Sequence, residues 1–244
     1  ALAKPPSRAL ALRHVFGSQS GGGGGGRGCS TLVPVPGAGI AFAASAAVVV
    51  WDPATRPSPP QRFFRGHRDE VTAVAQHPKL DGVVASSELG FKPSVLVWST
   101  SHNGGDGESK VIAPKVYLME RSVSCCSLCF AGENGRFLIA VTNDQNHSAT
   151  LIVWRTGQVI SESRSGPSSV FGMLQITEFD AQPGYGLVSF GKRHLRFWTL
   201  RDTGAGGDLN SNMSPTKSDV NCAVAVCGDL GLVVAGMQNG TLEF

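Results

Sequence analysis

Charge is scarce in this sequence. Lysine, arginine, aspartate and glutamate make up 16% of its 244 residues, and the formal net charge is only +3. Nucleic-acid binders carry a dense basic face for phosphates, so no nucleic-acid partner is expected. Long apolar runs are missing too. Hydrophobic residues reach 41%, yet no stretch approaches the roughly 20 consecutive apolar residues that span a bilayer as a helix. No membrane partner is expected, and the first residues do not read as a secretory leader. Helical periodicity is also rare. What the chain does have is punctuation. Thirty-one glycines and 14 prolines separate short runs rich in valine and alanine, the pattern of strands joined by turns. The expected fold class is all-β.

Residues 63–98 set the pattern. They read FFRGH, VTAVAQHP, VVASSEL and SVLVW. A glycine at 66 allows a sharp turn, and three short strands follow, the third ending at Trp98. A Gly-His pair leading into three strands and a tryptophan is the mark of one WD-repeat propeller blade. The His67 ring and the Trp98 indole can share a hydroxyl on the middle strand, supplied by Ser86 or Ser87. As a metal ligand or catalytic base, His67 lacks a second ligand or a nucleophile at a useful spacing.

The unit repeats. Trp51, Trp98, Trp154 and Trp198 stand 47, 56 and 44 residues apart, close to the usual 40 to about 45 residues per blade. Each is expected to end a third strand. Strands are predicted at 31–35, 39–44, 46–51 and 61–65 in the first blade. An outer strand at 111–119 closes the second. The third takes 122–130, 136–143, 150–154 and 158–163. The fourth takes 170–179, 186–190 and 194–198, followed by a polar connector at 201–218. The last takes 220–226, 230–235 and 240–244. This is a partial WD-repeat β-propeller of about four to five blades. Since closed propellers need a complete ring, the chain is expected to be part of a longer polypeptide. Residues 1–52 make the first unit, with a flexible glycine insertion at 21–26, and residues 53–244 the remaining blades, the last one cut short. The glycine insertion precedes Ser-Thr, but the lysine of a phosphate-binding loop is absent.

Six cysteines occur, at 29, 125, 126, 129, 222 and 227. Cys126 and Cys129 spell C-x-x-C, a spacing that serves zinc or redox chemistry. On a strand, however, residues three apart face opposite ways, so buried free thiols are expected. Three N-x-S/T triplets, at 146, 212 and 239, are read as chance matches. No cofactor, metal or catalytic residue is expected. The only acid-base candidates are His67, Asp69, Glu70 and Asp144, and nothing in the sequence pairs them.

The order of these segments resembles the echinoderm microtubule-associated protein-like family, in which a HELP motif precedes tandem atypical WD-repeat propellers. LRHVFG followed by STLVPVPGAGIAFAASAAVVVW resembles the end of the HELP motif and the first blade. RFFRGHRDEVTAVAQHP, VTNDQNHSATLIVW and SFGKRHLRFW resemble later junctions of the family. The resemblance implies a non-enzymatic scaffold that associates with tubulin or microtubules in the cytoplasm and cytoskeleton, cilia or axonemes included. The alternative is a WD-repeat adaptor that presents a peptide-binding rim to other cytosolic proteins. Partner contacts are expected on one rim, where Arg68, Lys92, Arg121, Lys192 and Arg193 would steer an acidic surface.

Overall fold

The structure is a computed structural model. It describes Val15 and residues 31–52, 61–100, 109–118, 122–178, 184–203, 206–214, 216–226 and 232–243. The glycine run at 21–26 and, apart from Val15, the residues before 31 expected to end a HELP-like motif lie outside these residues.

Five antiparallel sheets follow one another along the chain. The first blade holds β1 (Leu32–Val35), β2 (Gly39–Ala44), β3 (Ala47–Trp51) and β4 (Arg62–Phe64). The second holds β5 (Val71–Gln76), β6 (Val83–Glu88), β7 (Ser94–Ser99), β8 (Lys110–Val111) and β9 (Val116–Tyr117). The third holds β10 (Cys125–Ala131), β11 (Phe137–Thr142), β12 (Ser148–Val153) and β13 (Gln158–Arg164). The fourth holds β14 (Val170–Glu178), β15 (Tyr185–Gly191), β16 (His194–Asp202) and β17 (Gly207–Ser214). In the fifth, β18 (Val220–Val226), β19 (Leu232–Met237) and β20 (Leu242–Glu243) are described. Each sheet pairs its strands in chain order, except that β9 pairs with β7 beside β8, and the first strands β5, β10, β14 and β18 lie side by side. This is the propeller arrangement.

The apolar runs explain the packing. A blade in the middle of a propeller is covered on both faces, so its strands are apolar at successive positions rather than alternately apolar and polar. In β7, Leu96 and Trp98 pack toward the first blade, whereas Val95 and Val97 pack toward the third. In β11, Leu138 and Ala140 pack toward the second blade, and Phe137, Ile139 and Val141 toward the fourth. Four apolar clusters result, one between each pair of neighbouring blades.

Several expectations need correction. The outer strand predicted at 111–119 is two short pieces, β8 against Trp98 and Ser99, and β9 against Ser94 and Val95. Pro114 lies between them, and a residue without an N–H cannot continue the ladder. The predicted connector at 201–218 contains a full outer strand instead. β16 continues to Asp202, and β17 pairs with it over eight residues. GDLNSNMS has poor strand propensity. An outer strand needs only its backbone bonds and one buried anchor, here Leu209. Trp198 therefore sits within β16, and Trp154 directly after β12, rather than at strand ends.

The first strands share another feature. In β5, β10, β14 and β18 the register slips at the second residue, between Val71 and Ala73, Cys125 and Ser127, Val170 and Gly172, and Val220 and Cys222. A bulge bends a strand and increases its twist. It also overturns the facing expected of Cys126 and Cys129. With Cys126 as the extra residue, both thiols join the cluster between blades three and four. They still point at different acceptors, Val141 O and Phe130 O. Burial pushes the Cys129 thiol up to about 12, so the free thiol is protonated at neutral pH.

Candidate partner-binding rim

The junction between the first two blades is built around Gly66. A Cβ there would lie 2.5 Å from the Phe64 ring and 3.1 Å from Leu96, so a larger residue would push the chains apart. The next residue, His67, turns into the core. Its Nε2 lies 2.6 Å from Ser86 Oγ, and the Trp98 indole donates to the same oxygen at 3.0 Å. The indole can only donate, so Ser86 Oγ accepts from Trp98, and the His67 tautomer sets which partner donates in the His67–Ser86 bond. Phe64 stacks on the Trp98 ring, centroids 4.3 Å apart. Ser87 makes a different bond, with Thr72 Oγ1 at 3.1 Å.

A fourth member, Glu88, was not singled out by the sequence. Its Oε2 lies 3.5 Å from His67 Nδ1 and accepts the Arg68 N–H at 2.7 Å. Its Oε1 accepts the Ser94 hydroxyl and the Lys115 ammonium, the latter at 3.1 Å. Burial alone would push this carboxyl up. Bonds from Ser94, Arg68 N–H and Lys115 outweigh it, holding Glu88 at about 2. Burial lowers His67 to about 4. The imidazole is thus neutral and the carboxylate ionised at pH 7.

The fourth blade rebuilds the same three-group contact from other positions. Ser189 Oγ meets His194 Nε2 at 2.8 Å and accepts the Trp198 indole at 2.8 Å. Here the histidine opens the tryptophan's own strand. The signal that could have found it is S-x-x-x-x-H-x-x-x-W. Burial, then the nearby Arg196 and His147, lower His194 to about 4. Trp154 donates instead to Gly135 O at 2.8 Å and meets the His77 ring edge-on. Trp51 is half-buried at the end of β3, paired with Ile40. Two of the four tryptophans therefore close a His-Ser contact.

The loops leading into each first strand share one rim with the loops between the second and third strands. Arg68 and Lys92 are exposed there on blade two, and Lys192 and Arg193 on blade four. Arg121 lies outside the described residues. Arg193 takes a left-handed turn at φ 46°, and its N–H donates to Asp219 Oδ1 at 3.1 Å. The acid-base candidates do not form one centre. His67 is enclosed. Asp144 accepts the Thr142 hydroxyl and the N–H and hydroxyl of Ser148, all within its own loop. Burial raises that carboxyl, but these bonds, led by the Ser148 N–H, leave it lowered. Asp69 accepts the Glu70 N–H at 2.7 Å. Among the described residues no group of three or more His, Cys, Asp or Glu side chains could hold a metal ion, and no helix is long and apolar enough to cross a membrane.

No protein-family model matches the chain. Curated proteins do. The chain is 28% identical over 197 residues to the 77 kDa echinoderm microtubule-associated protein of Lytechinus variegatus, covering 75% of this chain and 26% of that protein. It is 27% identical over 216 residues to echinoderm microtubule-associated protein-like 2 of Rattus norvegicus, covering 82% and 30%. It is 25% identical over 198 residues to echinoderm microtubule-associated protein-like 1 of Homo sapiens, covering 75% and 22%. The chain thus spans 22–30% of the length of these relatives. Among solved structures, the WD40 domain of Toxoplasma gondii coronin superposes with a TM-score of 0.57 at 16% identity, covering 84% of this chain and 54% of that one. The resemblance to this family of WD-repeat, microtubule-associated proteins extends through most of the blades.

Proposed function

We propose that this chain is the propeller portion of a microtubule- or tubulin-associated scaffold in the cytoplasm and cytoskeleton, cilia among its settings, with no enzymatic activity. One observation carries the reading: the similarity to proteins named for microtubule association covers 75–82% of the chain. Residues before 31 are assigned to the end of a HELP-like motif. The rim that carries Arg68, Lys92, Lys192 and Arg193 is the proposed contact face, with Arg121 assigned to it from sequence. Exposed basic side chains attract an acidic surface, and their effect fades as salt screens them. The non-enzymatic reading is supported by the burial of His67 and by the bonds that hold Asp144 within its own loop.

Co-sedimentation of the intact protein with taxol-stabilised microtubules tests the reading. Binding at low salt that weakens as salt rises is the expected result. A protein that stays in the supernatant at low salt, yet captures other cytosolic proteins, is a WD-repeat adaptor instead.

A further inference from the structure

We infer that the rim end of the cleft between blades three and four binds a small monovalent inorganic anion, held by His147, Ser165, His194 and Arg196. Side-chain facing brings these groups together. On β16, His194, Arg196 and Trp198 alternate onto one face, and Trp198 packs in the cluster between blades three and four. The Arg196 guanidinium lies over the Trp198 ring, 5.7 Å from its centroid. Blade three supplies the other wall. Ser163 Oγ donates to Leu209 O of β17 at 2.8 Å, so Ser165, two residues on, faces blade four as well. The Ser165 N–H donates to His147 O at 3.3 Å, and the Gly166 N–H to Asn146 O at 2.9 Å. A Cβ at Gly166 would lie 3.6 Å from Arg196 Nη2, so this loop runs against the guanidinium.

The cleft is lined by polar atoms that lack partners. His194 and Ser165 are each 1% exposed and His147 8%. Nδ1 of both histidines, Ser165 Oγ and Arg196 Nε are buried without a hydrogen bond. Each of the four can donate, and buried groups left in this state point to an ion or ordered water. Charge selects the ion. Arg196 donates to the Ser211 hydroxyl at 2.8 Å, and among the described residues no carboxylate pairs with it. Asp144, the acid of the adjacent loop, is engaged by Thr142, Asn146 N–H and Ser148. Glu162 and Arg164 alternate onto the opposite face of β13 and are exposed. In blade two, Glu88 stands 3.5 Å from His67 Nδ1. In blade four the charged neighbours of His194 are Arg196 and His147. A bound anion takes the place that Glu88 fills in blade two, and the single fixed charge of Arg196 suits a monovalent ion.

The anion site stands apart from the microtubule reading, and chloride itself tests it. Chloride is titrated into sodium gluconate at constant ionic strength, and the thermal midpoint of the protein is followed. Chloride should raise the midpoint saturably, by about 2–4 °C. Arg196→Gln should abolish the rise, Ser165→Ala should reduce it, and Arg196→Lys should keep part of it. Arg68→Ala, on blade two, should leave it unchanged. Chloride-35 line broadening in the parent, reversed by bromide, reads the site without any variant. A flat midpoint with no broadening would mean that water fills the cleft, and the inference fails. A rise that persists in both Arg196→Gln and Ser165→Ala would put the ion elsewhere, and the inference fails again.

Discussion

Blades two and four solve the same problem with different parts of the chain. Each buries a tryptophan indole whose N–H must find an acceptor, and each uses a serine hydroxyl shared with a histidine. In blade two the histidine comes from the loop that arrives from blade one, and Phe64 of that blade stacks on the indole. The contact therefore ties two blades together. In blade four Ser189 and His194 face each other across one hairpin, so the contact ties only that blade. Blade two adds a buried carboxylate, Glu88, with Lys115 as its counter-ion. Blade four presents Arg196 and His147 to its histidine instead. Equal bonding thus does different work: one set is an inter-blade staple, the other an intra-blade brace.

Truncating the two indoles should break the comparison most strongly. Trp98→Ala and Trp198→Ala should each cost about 3–5 kcal/mol of unfolding free energy in urea melts. Trp98→Ala should cost about 1 kcal/mol more, because it also loses the stacked ring of Phe64. Equal costs would deny the inter-blade role.

Acid should weaken both sets. His67 and His194 are lowered from 6.5 to about 4, so the unfolded chain binds more protons between those values. The stability they contribute is complete above about pH 6.5 and is lost as pH falls toward 4. It is on the order of 2–3 kcal/mol for each histidine. Glu88, lowered from 4.5 to about 2, adds a further loss only below about pH 4.5. A melting midpoint that stays flat between pH 7 and 4 would contradict both sites.

Removing the shared hydroxyl is a smaller perturbation. Ser86→Ala and Ser189→Ala each leave a buried indole N–H without its acceptor, at a cost of about 1–3 kcal/mol. Ser87→Ala, whose hydroxyl bonds only Thr72 among the contacts described, should cost less, and thermal denaturation distinguishes the three. The smallest effect is the most selective. Glu88 raises the pKa of His67, so Glu88→Gln should move the His67 titration lower and leave His194 where it is. Imidazole resonances followed by NMR against pH would show equal movement of both if the two environments were coupled.

Much of the architecture was readable because it follows from local chemistry. VTAVAQ, FLIAVT and SATLIV are too short and too β-branched to be helices, and glycine, proline and aspartate bracket them. The tryptophan spacing then marks four of the five blades. What escaped reading depended on neighbours. β17 is polar along its length, and only the exposed backbone of β16 makes it a strand. The facing of Cys126 and Cys129 turned on a bulge set by pairing with β11. Glu88 reads as an ordinary strand-end acid until folding brings Arg68, Ser94 and Lys115 to it. Of the rim residues, the sequence could place charges in loops, but not the bond that ties Ser165 to His147.

The amino-acid order alone determined that this chain is a series of small antiparallel sheets, since strand length, side-chain branching and turn residues act over a few neighbours. The tertiary structure alone decided which polar groups share a proton, which outer segments become strands, and which loops are laced into one surface. Those outcomes depend on groups tens of residues apart meeting at hydrogen-bond distance, and spacing along a chain does not encode that distance.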